Sequence, residues 1–244
     1  MLVSPDEKAP IAQLLAFLEQ GERMAHDCAK AQSALATDSE ARGFLCRQAR
    51  QEAAHALIFQ GAIAWLAPKY LCGSPRLTAM EEYRALLHDA LNREDLVETF
   101  LAEQVILEGL GEVILTRIEQ GLAKRGAPFS RLRRILLQQE EAHHGFGRRQ
   151  LERAIARGEA DVPSLQRRAR PYLALTDAML LMLSDLFDTI REDASALAAE
   201  VRTFLPEWLR EEEPSIVSAQ LSAGRLGGLI GDAGRWDLIA DSST

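Results

Sequence analysis

Apolar residues recur along this chain at intervals of three and four, the spacing of one face of an α-helix, and nowhere sustain the polar/apolar alternation of a strand. Ile11, Leu14, Leu15 and Leu18 follow Pro10 and predict a first helix to about Leu35. Asp38 or Ser39 can cap a second, with apolar positions at Phe44, Leu45, Ala49, Ala53, Leu57, Ile58 and Ile63, ending before Pro68. Ser74-Pro75 opens a shorter helix to about Leu91. Asn92, with Asp95 three residues on, starts a third long helix through Leu96 to Leu122, stopping near Gly126. Ser130 caps a fourth that ends by Gly158, and after Val162-Pro163-Ser164 a fifth region, bent at Pro171, continues as further helix to Trp208. The reading is all-α.

Composition narrows this to one domain. A chain of 244 residues that is 47% hydrophobic can bury a large core, and no Gly/Ser- or Pro-rich linker divides it. The expected organisation is a single domain over 1–244, with a bundle core at about 10–157 and C-terminal helices at about 164–240. A net charge of −8 weighs against broad nucleic-acid binding. Cys28, Cys46 and Cys72 make no metal-type pair, and the opening Met1-Leu-Val-Ser-Pro-Asp-Glu-Lys lacks the basic and apolar regions of a signal peptide, so reduced thiols in a cytoplasm are expected. No apolar run reaches the roughly 18 residues of a membrane span.

Chemistry enters through two copies of Glu-x-x-His in a chain of only five histidines: Glu52-Ala-Ala-His55 on the second helix and Glu141-Ala-His-His144 on the fourth. Residues i and i+3 share a helix face about 5 Å apart, so each motif can aim a carboxylate and an imidazole at one point. A dinuclear carboxylate bundle also needs one inward Glu from each remaining helix. Helix 1 offers Glu19 and Glu22; helix 3 offers Glu103, Glu108 and Glu112. Spacing favours Glu22 and Glu108, because 52−22 = 30 and 141−108 = 33 give two matching helical hairpins. His143 is about 100° around the helix from His144 and reads as a packing or surface residue. His26, at i+4 from Glu22, and Glu112, one turn beyond Glu108, are candidates for additional ligands or supporting groups.

Glu22, Glu52-x-x-His55, Glu108 and Glu141-x-x-His144 resemble the ligand set of the ferritin-like diiron carboxylate proteins. The layout is most similar to the aldehyde-deformylating oxygenases: Gly21-Glu22 to Asp27, Ile106-Leu107-Glu108, Phe146-Gly147 after the motif, Pro171 early in the fifth helix and Gly228-Leu229-Ile230 near the end. His26 departs from that pattern, standing where those enzymes have an aromatic residue. The resemblance implies a ferritin-like four-helix bundle with additional C-terminal helices. It also implies two iron ions, with manganese able to replace one, bridged by Glu52 and Glu141, with Glu22 and Glu108 terminal and one metal on each of His55 and His144. In this family the residue before each motif Glu orients the opposite histidine, a place held here by Gln51 and Glu140.

Gly21, Gly61, Gly109, Gly111, Gly145 and Gly147 lie within nine residues of these positions. Helical glycine costs about 1 kcal/mol relative to alanine, which suits either a cavity beside the metals or close helix packing. With Phe59, Phe100, Leu107 and Phe146 they can bound an apolar pocket. The leading expectation is therefore a dioxygen-dependent diiron oxidoreductase acting on a small, largely apolar organic substrate, supplied with electrons by a ferredoxin or a reductase. A ferroxidase is the alternative. A tRNA-modifying hydroxylase is suggested only by the arginines at 131, 133, 134, 148, 149, 167, 168 and 170, and opposed by the acidic charge.

Overall fold

The computed structural model describes residues 4–5, 7–69, 78–127, 129–189 and 193–210. Two antiparallel hairpins of long helices form a bundle. Its first hairpin is α1 (Lys8–Leu35) and α2 (Ser39–Leu66). Pro10 sits in the first turn of α1, where its missing N–H costs nothing because that turn has no acceptor for it. Asp38 caps α2, accepting from the Glu40 and Ala41 amides at 3.4 and 2.9 Å. The antiparallel register shows in the residues that meet, Glu22 with His55 and His26 with Ala49.

The second hairpin pairs a composite helix with α6 (Ser130–Ala156). The composite helix runs from α4 (Leu96–Phe100) through a π-helical segment (Leu101–Leu107) into α5 (Glu108–Lys124). Its cap is Asp95, whose side chain accepts from the Glu98 amide, whereas Asn92 closes the preceding α3 (Thr78–Asn92). Ser130 is likewise the first residue of α6 and not its cap; Phe129 holds that place in the left-handed region with φ of 65°. The Glu108 amide bonds to the Glu103 carbonyl, five residues back, which defines the wide turn. Tyr83 from α3 donates to the Ala102 carbonyl inside that turn at 2.6 Å. α6 crosses the segment so closely that a Cβ on Gly147 would lie 2.3 Å from Gln104 Cβ.

Outside the bundle lie α3, α7 (Val162–Met182, continuous through Pro171), α8 (Ser184–Thr189) and α9 (Ala194–Phe204). Leu14, Phe17, Leu45, Leu101, Val105, Ile106, Leu110, Ile114 and Leu151 form the core between the helices. Cys28 and Cys46 are free thiols. Ser74-Pro75, Cys72 and Gly228-Leu229-Ile230, together with the helix expected beyond Trp208 towards 240, fall outside the described residues. Among the described residues no helix is long and apolar enough to cross a membrane. The chain is all-α.

Candidate metal centre

A block of acids and histidines occupies the middle of the bundle, where apolar packing would be expected. Glu22 from α1, Glu52 and His55 from α2, Glu108 from the start of α5, and Glu140 and His143 from α6 are all buried. They fall into two overlapping groups, Glu22, Glu52, His55 and Glu140, and Glu52, Glu108, Glu140 and His143. Within each group one ligand atom per residue lies within 4.8 Å of all the others. Glu52 and Glu140 belong to both groups, the position of bridging carboxylates.

The contacts are those of lone pairs converging on shared points. His55 Nδ1 lies 3.2 Å from Glu22 Oε2, 3.0 Å from Glu52 Oε2 and 2.9 Å from Glu140 Oε1. His143 Nδ1 lies 2.7 Å from Glu52 Oε1 and 3.7 Å from Glu108 Oε1. Yet Glu52 Oε1, Glu140 Oε1 and His143 Nδ1 have no partner in hydrogen-bond geometry. Orphaned buried donors and acceptors are costly, and a cation between them would satisfy all three. Four carboxylates and two imidazoles around two points fit two divalent first-row transition ions, with charges that balance.

Each imidazole is held from behind. His55 Nε2 donates to Gln139 Oε1 at 2.8 Å, and His143 Nε2 donates to Gln51 Oε1 at 2.9 Å. With Nε2 protonated, a neutral ring turns the lone pair of Nδ1 towards the carboxylates, the tautomer a metal requires.

The charge crowding shows in the titration of the bare cluster. Burial, with Glu140 beside it, raises Glu22 well above the usual carboxyl range. Burial and the Glu52 and Glu140 charges do the same to Glu108. Burial would also raise Glu52, but the neighbouring imidazoles of His143 and His55 hold it below its ordinary value. His55 would be depressed by burial, yet Glu140, Glu22 and Glu52 together push it far up. Protons occupy places that cations can take.

Of the residues suggested by the sequence, the structure brings together Glu22, Glu52, His55 and Glu108, and on α6 it adds Glu140 and His143 to them and not Glu141 and His144. Glu141 is exposed, and Glu140 and His143 occupy the cluster. One step along a helix turns a side chain by about 100°; the buried residues of α6 are Leu136, Glu140, His143, His144, Phe146, Gly147, Leu151 and Ala154. Both registers satisfy the i, i+3 spacing, so no signal in the sequence separates them. His144 faces another way, its Nδ1 3.1 Å from Glu112 Oε2 and its ring stacked on Phe204. Glu112 is thereby engaged with His144 and not with the cluster. His26 is half-buried and donates to the Ala49 carbonyl at 2.6 Å, tying α1 to α2 away from the cluster. Glu140, expected to support a histidine, is itself in both groups, and the supporting place before it belongs to Gln139.

Directly along the bundle lies an apolar cavity of about 650 Å³, lined by Leu14, Leu15, Phe59, Ala62, Ile114 and Leu136 among others, with Trp65, Phe129 and Leu132 at its exposed side. Leu136 is one helical turn before Glu140, and Phe59 one turn after His55, or about 6 Å along the axis. Gly61 also lines it and has no atom within 4 Å of where its Cβ would be, whereas Gly147 serves close packing. Of the other residues expected at the pocket, Phe100 and Phe146 pack edge to face within the core, away from this cavity.

The fold and the buried Glu/His cluster together define a ferritin-like helical bundle. Among solved structures, the chain is similar to protein 19 with aldehyde deformylating oxidase activity from Synechococcus, with a TM-score of 0.67 and 17% identity over 92% of this chain and 99% of that one. No protein-family model and no curated protein sequence matches it.

Proposed function

We propose that this protein is a non-haem dinuclear iron oxidase or oxygenase that uses dioxygen to oxidise a small, largely apolar organic substrate. The observation that carries the reading is the pair of overlapping four-residue groups with orphaned ligand atoms at the centre of the bundle. Glu22, Glu52, His55 and Glu140 would hold one ion, and Glu52, Glu108, Glu140 and His143 the other. Iron bound there would supply electrons to dioxygen and regain them from an external donor, and manganese is an acceptable occupant of one position.

The protein's own contribution is placement and dryness. Gln139 and Gln51 fix the imidazoles; Leu14, Leu15, Phe59, Ile114 and Leu136 offer an apolar chain a cavity whose volume is in the usual range for small-molecule sites. A substrate lying along it would bring one end within a helical turn of His55 and Glu140, with water excluded by the same side chains. Likeness to a Synechococcus protein with aldehyde deformylating oxidase activity supports an aldehyde as the first compound to try. An external one-electron donor, a ferredoxin or a reductase, completes the cycle.

The test is anaerobic loading with Fe(II) followed by dioxygen. Oxidation that stops near two irons per chain, with further oxygen uptake only when a reductant and an apolar aldehyde or fatty acid are added, supports the proposal. Continued oxidation of iron far beyond two per chain would identify a ferroxidase instead.

A further inference from the structure

One fully buried acid beside the cluster has no role in the six-residue site. Glu103 lies in the π segment, with none of its surface exposed. In an ordinary helix residues 103 and 108 would point about 140° apart. The turn closed by the Glu108 amide on the Glu103 carbonyl brings both to the same side. Their carboxylates meet at one donor: Gln48 Nε2 donates to Glu103 Oε1 at 3.1 Å and to Glu108 Oε1 at 2.9 Å. Gln48 cannot turn its oxygen towards them, because that oxygen accepts from Gln104 Nε2 at 3.2 Å, and Gln104 exchanges two further hydrogen bonds with Gln32. The second oxygen of Glu103, Oε2, is buried with no partner. A carboxyl group half used in a dry core is destabilising unless something else engages it.

We infer that Glu103 is a fifth carboxylate ligand of the dinuclear centre, serving the ion between Glu108 and His143 and exchanging with Glu108 about the fixed amide of Gln48. This rests on the dinuclear reading above. The ligands are then unequal: the His55 position draws on Glu22, Glu52 and Glu140, while the His143 position draws on Glu52, Glu140, Glu108 and Glu103. The second position becomes the richer in hard oxygen donors and favours Mn(II) or Fe(II).

Titration of the metal-free full chain with Mn(II) and with Co(II) tests this, the Co(II) visible spectrum reporting coordination number. Wild type should bind two ions in distinguishable steps, and His143→Ala should abolish the step that belongs to its position. Glu103→Gln should weaken that same step by roughly tenfold or more and alter the Co(II) bands, leaving the other step unchanged. The glutamine keeps an oxygen for the Gln48 N–H, so a purely structural Glu103 predicts identical titrations and spectra, which would overturn the inference. Wild type that fails to take two ions would instead sink the dinuclear reading itself. Should Glu103→Gln not fold by circular dichroism, a crystal structure of the Mn(II)-loaded wild type decides. A Glu103 oxygen within about 2.5 Å of an ion supports the assignment, and a Glu103 carboxylate touching only Gln48 refutes it.

Discussion

Gln139 holds His55: the amide oxygen on α6 accepts from the imidazole Nε2 on α2 at 2.8 Å, and the relation is repeated in reverse by Gln51 and His143 at 2.9 Å. Each glutamine immediately precedes the glutamate of one motif and orients the histidine of the other, so the two motifs lock each other. Such supporting bonds are commonly worth about 10–100-fold in metal affinity. Gln139→Leu should weaken the ion at the His55 position within that range and spare the one at His143; Gln51→Leu should do the converse. Chelator competition at fixed pH measures both, and equal loss at both positions would contradict the crossed arrangement.

The register on α6 separates four substitutions. Glu140→Ala and His143→Ala should each reduce bound metal sharply. Glu141→Ala, at an exposed position, should change neither metal content nor stability by more than about 0.5 kcal/mol. His144→Ala should lower thermal stability through its lost contacts with Glu112 and Phe204 while leaving two ions bound. Elemental analysis alongside thermal melts distinguishes them.

Two glycines should behave oppositely. Gly147→Ala drives a methyl into Gln104 Cβ at 2.3 Å, an overpacking worth about 1–3 kcal/mol, with each kcal/mol lowering Tm by about 2–4 °C in a domain of this size. Gly61→Leu meets open space and removes a helix-weakening glycine, so the fold and the metal content should be unaffected. Its side chain would occupy the apolar cavity, and KM for a long apolar substrate should rise while dioxygen uptake without substrate stays unchanged.

Removal of metal should make stability fall as pH rises. Glu22, Glu103 and Glu108 are all raised, chiefly by burial. A raised acid adds stability that is complete below its unfolded value of 4.5 and lost as pH climbs through the folded value. Raised His55 acts with the same sign, its contribution complete below its unfolded value of 6.5. Glu52, which is lowered, acts in the opposite sense, but one acid stands against three acids and a histidine. Chelated protein should therefore melt progressively lower as pH rises above 4.5, the unfolded value of those acids, and further as it rises above 6.5, that of His55. Bound Mn(II) should abolish or reverse the trend, since cations take the place of the protons. A flat profile for the metal-free protein would show that the carboxylates are not crowded as described.

The order of the long helices, the Asp38 cap and the shared face of Glu52 and His55 follow from local sequence, because helical periodicity, caps and i, i+3 spacing are properties of neighbours along the chain. Spacing alone is blind to rotation, however. Glu140-x-x-His143 and Glu141-x-x-His144 satisfy the same rule, and the packing of α6 on the π segment through Gly147 and Gln104 decides which pair faces inward. The π turn is the other tertiary decision: nothing in Leu101–Leu107 as a string signals a wide turn, and it is recognised only by where the Glu108 amide bonds and by Tyr83 donating to Ala102 from another helix. A helix drawn from sequence keeps its 100° step and turns Glu103 away from Glu108. Only the packed bundle brings both acids to one amide and sets Gln51 and Gln139 behind the opposite histidines, because those relations join residues 55 to 92 positions apart.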